Sequence, residues 1–448
     1  LGEFGKALTV SVQEEGVIAC VKHFALNSME DLRFYVDVHI DDRALHEVYL
    51  PHFKKCVDAG AQSIMGAYNR YEEYHCCENK KLLTDILRRE WGFDGFVMSD
   101  FVWGVYDAEH SLRAGLDLEM MFTMKYSEGN IRKCLKKGLL NEEHIDRAVD
   151  NILRALLRME PKIRKRPMSV VRSKEHRALA LEAAEKGMVL LENNGVLPLA
   201  KGASVIVCGP YADVANTGDH GSSRVYDPEV VTPYQGLREV FAKTTLAGPS
   251  NTANPKKDPK PVENSAAIRA EGDVAVVCVG FDYKGEGEYF VNTNYALTEK
   301  PKDGGGDRLR LRLSREEEDL IKGLKKAGKK VVAVLFSGCA ILVDEWKEYA
   351  DAIVMNYYAG CEGGRALANL LFGAKNFSGH LPFTVAKKEE DYPSFKYIGD
   401  KPYEITYGYY HGYTLLDKEG KDAAYPFGYG KSYTDFALEG VEVSRDSD

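Results

Sequence analysis

No continuous apolar run among the 448 residues reaches the length that a membrane-spanning helix needs, so no membrane partner is expected. An excess of basic charge is also lacking: 59 Lys and Arg stand against 68 Asp and Glu, a net charge of -9. With no basic stripe there is no electrostatic case for a nucleic-acid partner. The nine cysteines form no disulfide framework, because the only close pair, Cys76-Cys77, is adjacent and adjacent cysteines are poor disulfide partners. Reduced thiols favour a cytoplasmic setting, with a periplasmic or secreted one kept open, and nothing at the start resembles a signal peptide. No GxGxxG opens a helix after a first strand, so nicotinamide and flavin are not expected. Neither an organic cofactor nor a metal is expected.

What is present divides the chain. Residues 1-160 carry a few short apolar runs alternating with helical periodicity, Pro161 to Pro167 is a charged, proline-flanked linker within 161-174, and 175-435 repeats strand and helix. In the later part, strands are expected at Ser204 to Cys208, Val274 to Gly280, Val331 to Phe336 and Ala352 to Met355. Their apolar, non-alternating composition predicts a mainly parallel sheet covered on both faces. In the earlier part, strands are expected at Val17 to Val21, Ser63 to Tyr68, Phe96 to Ser99 and Leu116 to Met120, with a helix from Asn141 to Met159 whose apolar positions are Ile145, Val149, Ile152 and Leu156. Four strands in about 160 residues are too few for a (β/α)8 barrel, which takes about 250. The fold class is α/β: an incomplete TIM-like barrel followed by an α/β sandwich. Phe436 to Val443 alternates and reads as the start of a fibronectin-like domain across 436-448.

The run Phe96 to Ser99 ends in Asp100, a carboxylate at the carboxyl end of a buried strand, where α/β folds do chemistry. Position alone equally fits a helix cap. Lys22 and His23 follow another strand, an expensive placement unless an anion or hydroxyls meet them, although His23 also fits a satisfied core histidine. Tyr68 emerges at a third strand end, where its hydroxyl either holds the Asp100 carboxylate or lines the barrel mouth. Val102, Trp103 and Tyr106 are apolar or aromatic in a loop expected at the surface and wall a binding site there.

KHF at Lys22 to Phe24, YLPHF at Tyr49 to Phe53, AYN at Ala67 to Asn69, LLTDILRREWGFDGFVMSD and PFGYGKSY resemble the family 3 glycoside hydrolases, in their β-glucosidase branch. The resemblance implies that Asp100 is the nucleophile of a retaining mechanism, that Lys22, His23 and Arg33 hold the terminal sugar with Asn27 assisting, and that Tyr68 supports the nucleophile. Phe101 stands where the family usually has Trp. It keeps an aromatic platform but offers no indole N–H.

Between Gly280 and Leu313 a glycine-rich excursion carries Glu286 and Glu288. Its GEG followed by GDR is similar to the family's acid/base pattern, which implies Glu286 as proton donor with Glu288 in reserve, and Asp307 and Arg308 as structural. The GDHGSSRVY loop at Gly218 to Tyr226 is expected to pack at the domain seam. The implied enzyme is a retaining, exo-acting β-glucosidase acting on a β-glucoside or short β-linked oligosaccharide in an interdomain cleft. Alternatives are a β-xylosidase or related exo-glycosidase of the family, and a non-catalytic carbohydrate-binding fragment. The missing barrel segment would come from another chain or have been removed, and a homo-oligomer is open.

Overall fold

The computed structural model describes the chain except for residues 228, 252-258, 289-304, 309, 394-396, 399-400, 438 and 445-448. It divides into two compact units, one formed by Leu1–Pro167 with Ser394–Tyr410, the other by Met168–Pro393 with His411–Asp448. The break falls at the end of the expected linker, but 394-410 belongs with the first unit and interrupts the expected 175-435 domain.

In the first unit β1 (Cys20–Phe24), β3 (Ser63–Gly66) and β6 (Phe96–Met98) form a parallel sheet in the order β1-β3-β6. The first strand corrects the sequence expectation. It starts at Cys20 and runs through Lys22 and His23, with a register irregularity between Val21 and Phe24, so these two side chains lie within the strand. Leu116 to Met120 is also not a full strand. It meets β6 through a single bridge, Leu118 against Met98. A second, small sheet has the order β13-β14-β2-β4-β5, from β2 (Asp37–His39), β4 (Arg70–Tyr71), β5 (Tyr74–His75), β13 (Tyr397–Ile398) and β14 (Lys401–Thr406). Pairing of β14 with β2 brings 401-406 to this unit. Pro51 opens the last segment of the 42-58 helix, where its missing N–H costs nothing, after a wide turn over Leu45–Tyr49.

Helix Glu142–Met159 forms with its apolar stripe turned from where periodicity put it. Ala148, Asn151, Ala155 and Met159 are buried, while Val149 and Leu156 are about half exposed, at 48% and 50%. The buried face carries a polar contact: Asn151 Nδ2 donates to Asp117 Oδ1 at 3.0 Å. Asp117 Oδ2 accepts from Arg88 Nη2 at 2.5 Å and from the amide of Val97 in β6 at 2.8 Å. Burial pushes the Asp117 carboxyl up against the pull of Arg88, and pushes Arg88 down.

The second unit holds a six-stranded sheet in the order β7-β12-β11-β10-β8-β9. All four expected strands appear in it, as β8 (Ser204–Cys208), β10 (Val274–Gly280), β11 (Lys330–Phe336) and β12 (Ala352–Met355). β9 (Lys243–Ala247) joins them in parallel, and β7 (Val189–Asn193) pairs antiparallel with β12 at one edge. Helices Pro233–Val240, Arg315–Lys326 and Gly363–Phe372 cover it, two of them opening on a capping box at Thr232 and Ser314. β10 and β11 are buried nearly throughout, as strands covered on both faces must be. The described residues of 436-444 form no strand, against the alternation read there.

Removing one partner of the buried pair leaves a charge without its counterion. Asp117→Asn and Arg88→Ala should each lower stability by about 3 to 5 kcal/mol, read from urea unfolding midpoints at unchanged m. A loss under about 1 kcal/mol for both would show that the pair does not hold the unit together.

Candidate active site

Asp100 sits two residues past the end of β6 and is 8% exposed. The turn that follows is laced to the neighbouring segment: Ser99 donates its amide to Leu118 O at 2.9 Å, its Oγ accepts from Met120 N at 2.9 Å, and Val102 N donates to Met120 O at 2.8 Å. Val102 takes a left-handed φ of 68°, a costly conformation for a β-branched residue and of a kind that clusters at active sites. Asp100 Oδ1 accepts from the amide of Phe101 at 2.7 Å, and Oδ2 lies 3.3 Å from His23 Nε2. The helix-cap reading is thereby set aside, since Ala108–Ala114 is capped by Asp107.

Around this carboxylate the other sequence candidates fall into place as follows. Tyr68 donates its hydroxyl to the carbonyl of Phe101 at 2.6 Å, a neighbour of the nucleophile candidate. Arg33 is 5% exposed, pairs with Glu30 at 2.9 Å, and lays its guanidinium over Tyr68 and Phe34, 5.3 and 5.0 Å from the ring centroids. Phe34 packs on Tyr68 and Trp103 at centroid distances of 4.6 and 5.4 Å. Phe101 and Trp103 remain 40% and 42% exposed, aromatic surface of the kind that stacks on sugars. Lys22 is exposed and precedes His23 directly, and the buried Oδ1 of Asn27 accepts no hydrogen bond among the described residues. Tyr106 stacks on His75 at 3.8 Å between centroids.

Two residues of this site carried no signal that periodicity or motif could read. Phe34 is the ring that joins Arg33, Tyr68 and Trp103. Gly104 packs so closely that a Cβ would stand 2.5 Å from the carbonyl oxygen and 2.9 Å from the nitrogen of Asp100.

In the second unit Glu286 ends the short helix Tyr283–Glu286, itself capped by the Asp282 side chain. Within the glycine-rich excursion expected from the sequence, Glu286 thus stands on a helical turn. Glu286 Oε2 lies 2.9 Å from Arg308 Nε and 3.3 Å from Ser337 Oγ, while Oε1 accepts from the amide of Gly338 at 2.6 Å and from the Tyr358 hydroxyl. Arg308 therefore anchors the candidate acid itself, and it also donates to Ala340 O at 2.8 Å. Burial pushes the Tyr358 hydroxyl far up, helped by the neighbouring Glu286, so it serves as a donor. Glu288 Oε2 accepts from the amide of Ser222, so the GDHGSSRVY loop packs on the glutamate segment. The excursion's middle, 289-304, lies outside the described residues.

Among the described residues one cluster has metal-ligand spacing, Asp107, Glu109 and His110. Asp107 Oδ1 already accepts from the amide of His110 at 2.9 Å, the bond of a helix cap.

Residues 2–155 match the glycosyl hydrolase family 3 N terminal domain, and 188–433 match the glycosyl hydrolase family 3 C-terminal domain. The chain belongs to glycosyl hydrolase family 3. It is 33% identical to beta-glucosidase BoGH3A of Bacteroides ovatus over 97% of this chain and 61% of that protein. It is 32% identical to an exo-alpha-(1->6)-L-arabinopyranosidase of Bifidobacterium longum over 97% of this chain and 56% of that protein. The solved structure of beta-glucosidase 3B from Thermotoga neapolitana superposes with a TM-score of 0.84 at 30% identity, over 99% of this chain and 65% of that one. The chain thus spans about three fifths of the length of the curated relatives it matches. Both halves of the family architecture, TIM-like barrel portion and α/β sandwich, are represented.

At Gly104 the added methyl group meets backbone that cannot swing aside. Gly104→Ala should cost about 1 to 3 kcal/mol of stability and raise amide exchange across 98-104, because the 99-102 turn must shift. Parent-like exchange in that peptide would show that the turn accommodates the methyl without moving Asp100.

Proposed function

We propose that this chain forms the catalytic part of a retaining, exo-acting β-glucosidase that releases terminal β-D-glucosyl residues by double displacement. The observation that carries the reading is Asp100: a buried carboxylate at the carboxyl end of a barrel strand, beside His23 and followed in the chain by the exposed rings of Phe101 and Trp103, in a family 3 chain. The similarity to named beta-glucosidases supports the sugar.

In this mechanism Asp100 attacks the anomeric carbon and forms a glycosyl ester while a second carboxyl protonates the leaving oxygen. Water, deprotonated by that same group, then releases the sugar. His23 beside Asp100 orients the nucleophile and offers a donor to sugar hydroxyls, as does Lys22. Arg33, stacked on Tyr68 and Phe34, holds the platform that fixes the carbonyl of Phe101 and hence the turn bearing Asp100. Phe101 and Trp103 supply stacking faces for sugar or aglycone.

For the second carboxyl the sequence pattern favours Glu286. The reserve, Glu288, stays open beside it: the carboxylate of Glu286 is engaged by Arg308, Gly338, Ser337 and Tyr358, and that of Glu288 by the amide of Ser222. Similarity to an exo-alpha-(1->6)-L-arabinopyranosidase likewise supports a second reading of the sugar, in which the same machinery cleaves a pentopyranoside.

Asp100→Ala should remove more than about three orders of magnitude of turnover on an aryl β-glucoside, with substrate binding less affected. Near-normal turnover would end the assignment. For the acid, replacing the correct glutamate by Gln should abolish cleavage of alkyl glucosides, largely spare glycosylation by dinitrophenyl glucoside, and allow azide to rescue turnover as the β-glucosyl azide. The variant that shows this pattern names the residue. Comparing nitrophenyl glucoside, xyloside and arabinopyranoside by kcat/KM settles the sugar.

A further inference from the structure

The loop that begins at Gly218 meets Tyr358, a partner of Glu286, and touches the glutamate segment itself through Asp219, His220 and Ser222. Gly218, at φ 102°, lies against the ring of Tyr358, the residue whose hydroxyl donates to Glu286; a Cβ there would stand 3.3 Å from that ring. The carboxylate of Asp219 accepts from the amide of Glu288 through Oδ1 at 2.7 Å and from the Ser223 hydroxyl through Oδ2 at 2.7 Å. His220 stacks on Tyr283, with ring centroids 3.6 Å apart and 18° between planes. Ser222 returns a hydrogen bond from its amide to Glu288 Oε2.

Space confirms that the two segments were built against each other. A Cβ on Gly221 would stand 2.4 Å from Glu288 Cβ, and one on Gly287 would stand 2.5 Å from Tyr283 O and 3.0 Å from Asp219 Oδ1. Burial pushes the Asp219 carboxyl up, but the Ser223 hydroxyl and the amides of Glu288, Gly221 and His220 outweigh it and hold the group below the usual carboxylate range. It is an ionised acceptor. Asparagine could satisfy the Glu288 amide but has only one acceptor oxygen, so it cannot serve both segments as the carboxylate does.

We propose that Asp219 is a positioning residue that staples the 218-223 loop to the Tyr283–Glu288 segment and so sets where the proton-donating glutamate stands. This rests on the reading above, that Glu286 or Glu288 is the acid/base. The proposal is specific about mechanism: Asp219 touches no reacting atom and acts by fixing the backbone between the two glutamates, where a displacement of about 1 Å can cost on the order of 100-fold in rate.

The test uses Asp219→Ala and the milder Asp219→Asn, both checked against the parent melting temperature, in the form of the protein that hydrolyses aryl glycosides. Amide exchange of the 281-288 peptide should quicken by at least about tenfold in Asp219→Ala, with Asp219→Asn between it and the parent. For the same variant, kcat/KM on an alkyl β-glucoside should fall about 10- to 100-fold, while that on dinitrophenyl β-glucoside, which needs little protonation, should fall less than about threefold. Parent-like exchange, or equal losses on both substrates, would overturn the positioning role and leave Asp100 and the glutamates standing. Should exchange quicken while azide rescues neither Glu286→Gln nor Glu288→Gln, the acid/base reading fails, and the catalytic purpose of the staple fails with it. That outcome is distinguishable because the structural contact would still be seen.

Discussion

The buried carboxylate of Asp117 is the constraint on which the first unit depends. It joins a strand, a helix and a second helix through Val97, Arg88 and Asn151, and its side chain is wholly shielded from water. A carboxylate taken out of water is tolerable only when every lone pair finds a donor. That requirement ties helix Glu142–Met159 and helix Lys81–Glu90 to β6 at the residue three before Asp100. The candidate nucleophile is therefore held from below by a polar knot and from above by the turn that Gly104 closes over it.

Strand-end logic found Asp100 because a buried parallel strand leaves a clear sign, a short apolar run ending abruptly in a charge. The same logic found β8, β10, β11 and β12, whose composition needs no context to be read. It missed β9, whose burial is only partial, because Lys243–Ala247 carries two threonines and a lysine and lacks the apolar density of its neighbours. It placed Lys22 and His23 just past a strand at Val17 to Val21, whereas the strand is Cys20–Phe24 and runs through them, with its register irregular between Val21 and Phe24. In helix Glu142–Met159 periodicity points to Ile145, Val149, Ile152 and Leu156 as the apolar face, whereas Ala148, Asn151, Ala155 and Met159 are the buried residues. Periodicity counts hydrophobicity and cannot see a small or polar residue, such as Asn151 meeting Asp117, on the buried face.

The candidate site residues divide along the same line. Those that carry charge at a strand end, or lie in a motif, leave a sign in the sequence; those that contribute shape or bridge other side chains do not. Phe34 holds Arg33, Tyr68 and Trp103 together, yet nothing in its sequence neighbourhood marks it out. Arg308 was read as a structural residue pinning its loop, which is half of what the geometry shows: it is structural, and what it pins is Glu286.

That contact changes how the glutamate segment is understood. Glu286 sits in a nest of donors, its carboxylate meeting Arg308, Ser337, the amide of Gly338 and the Tyr358 hydroxyl, while the Glu288 carboxylate accepts from the amide of Ser222. Both glutamates stand on one short stretch of backbone, the helix Tyr283–Glu286 and the two residues after it, and Asp219 accepts from the amide of Glu288 on that stretch. Because the 218-223 loop bears on the same few backbone atoms, a shift of that contact moves both carboxyls together and not one side chain alone.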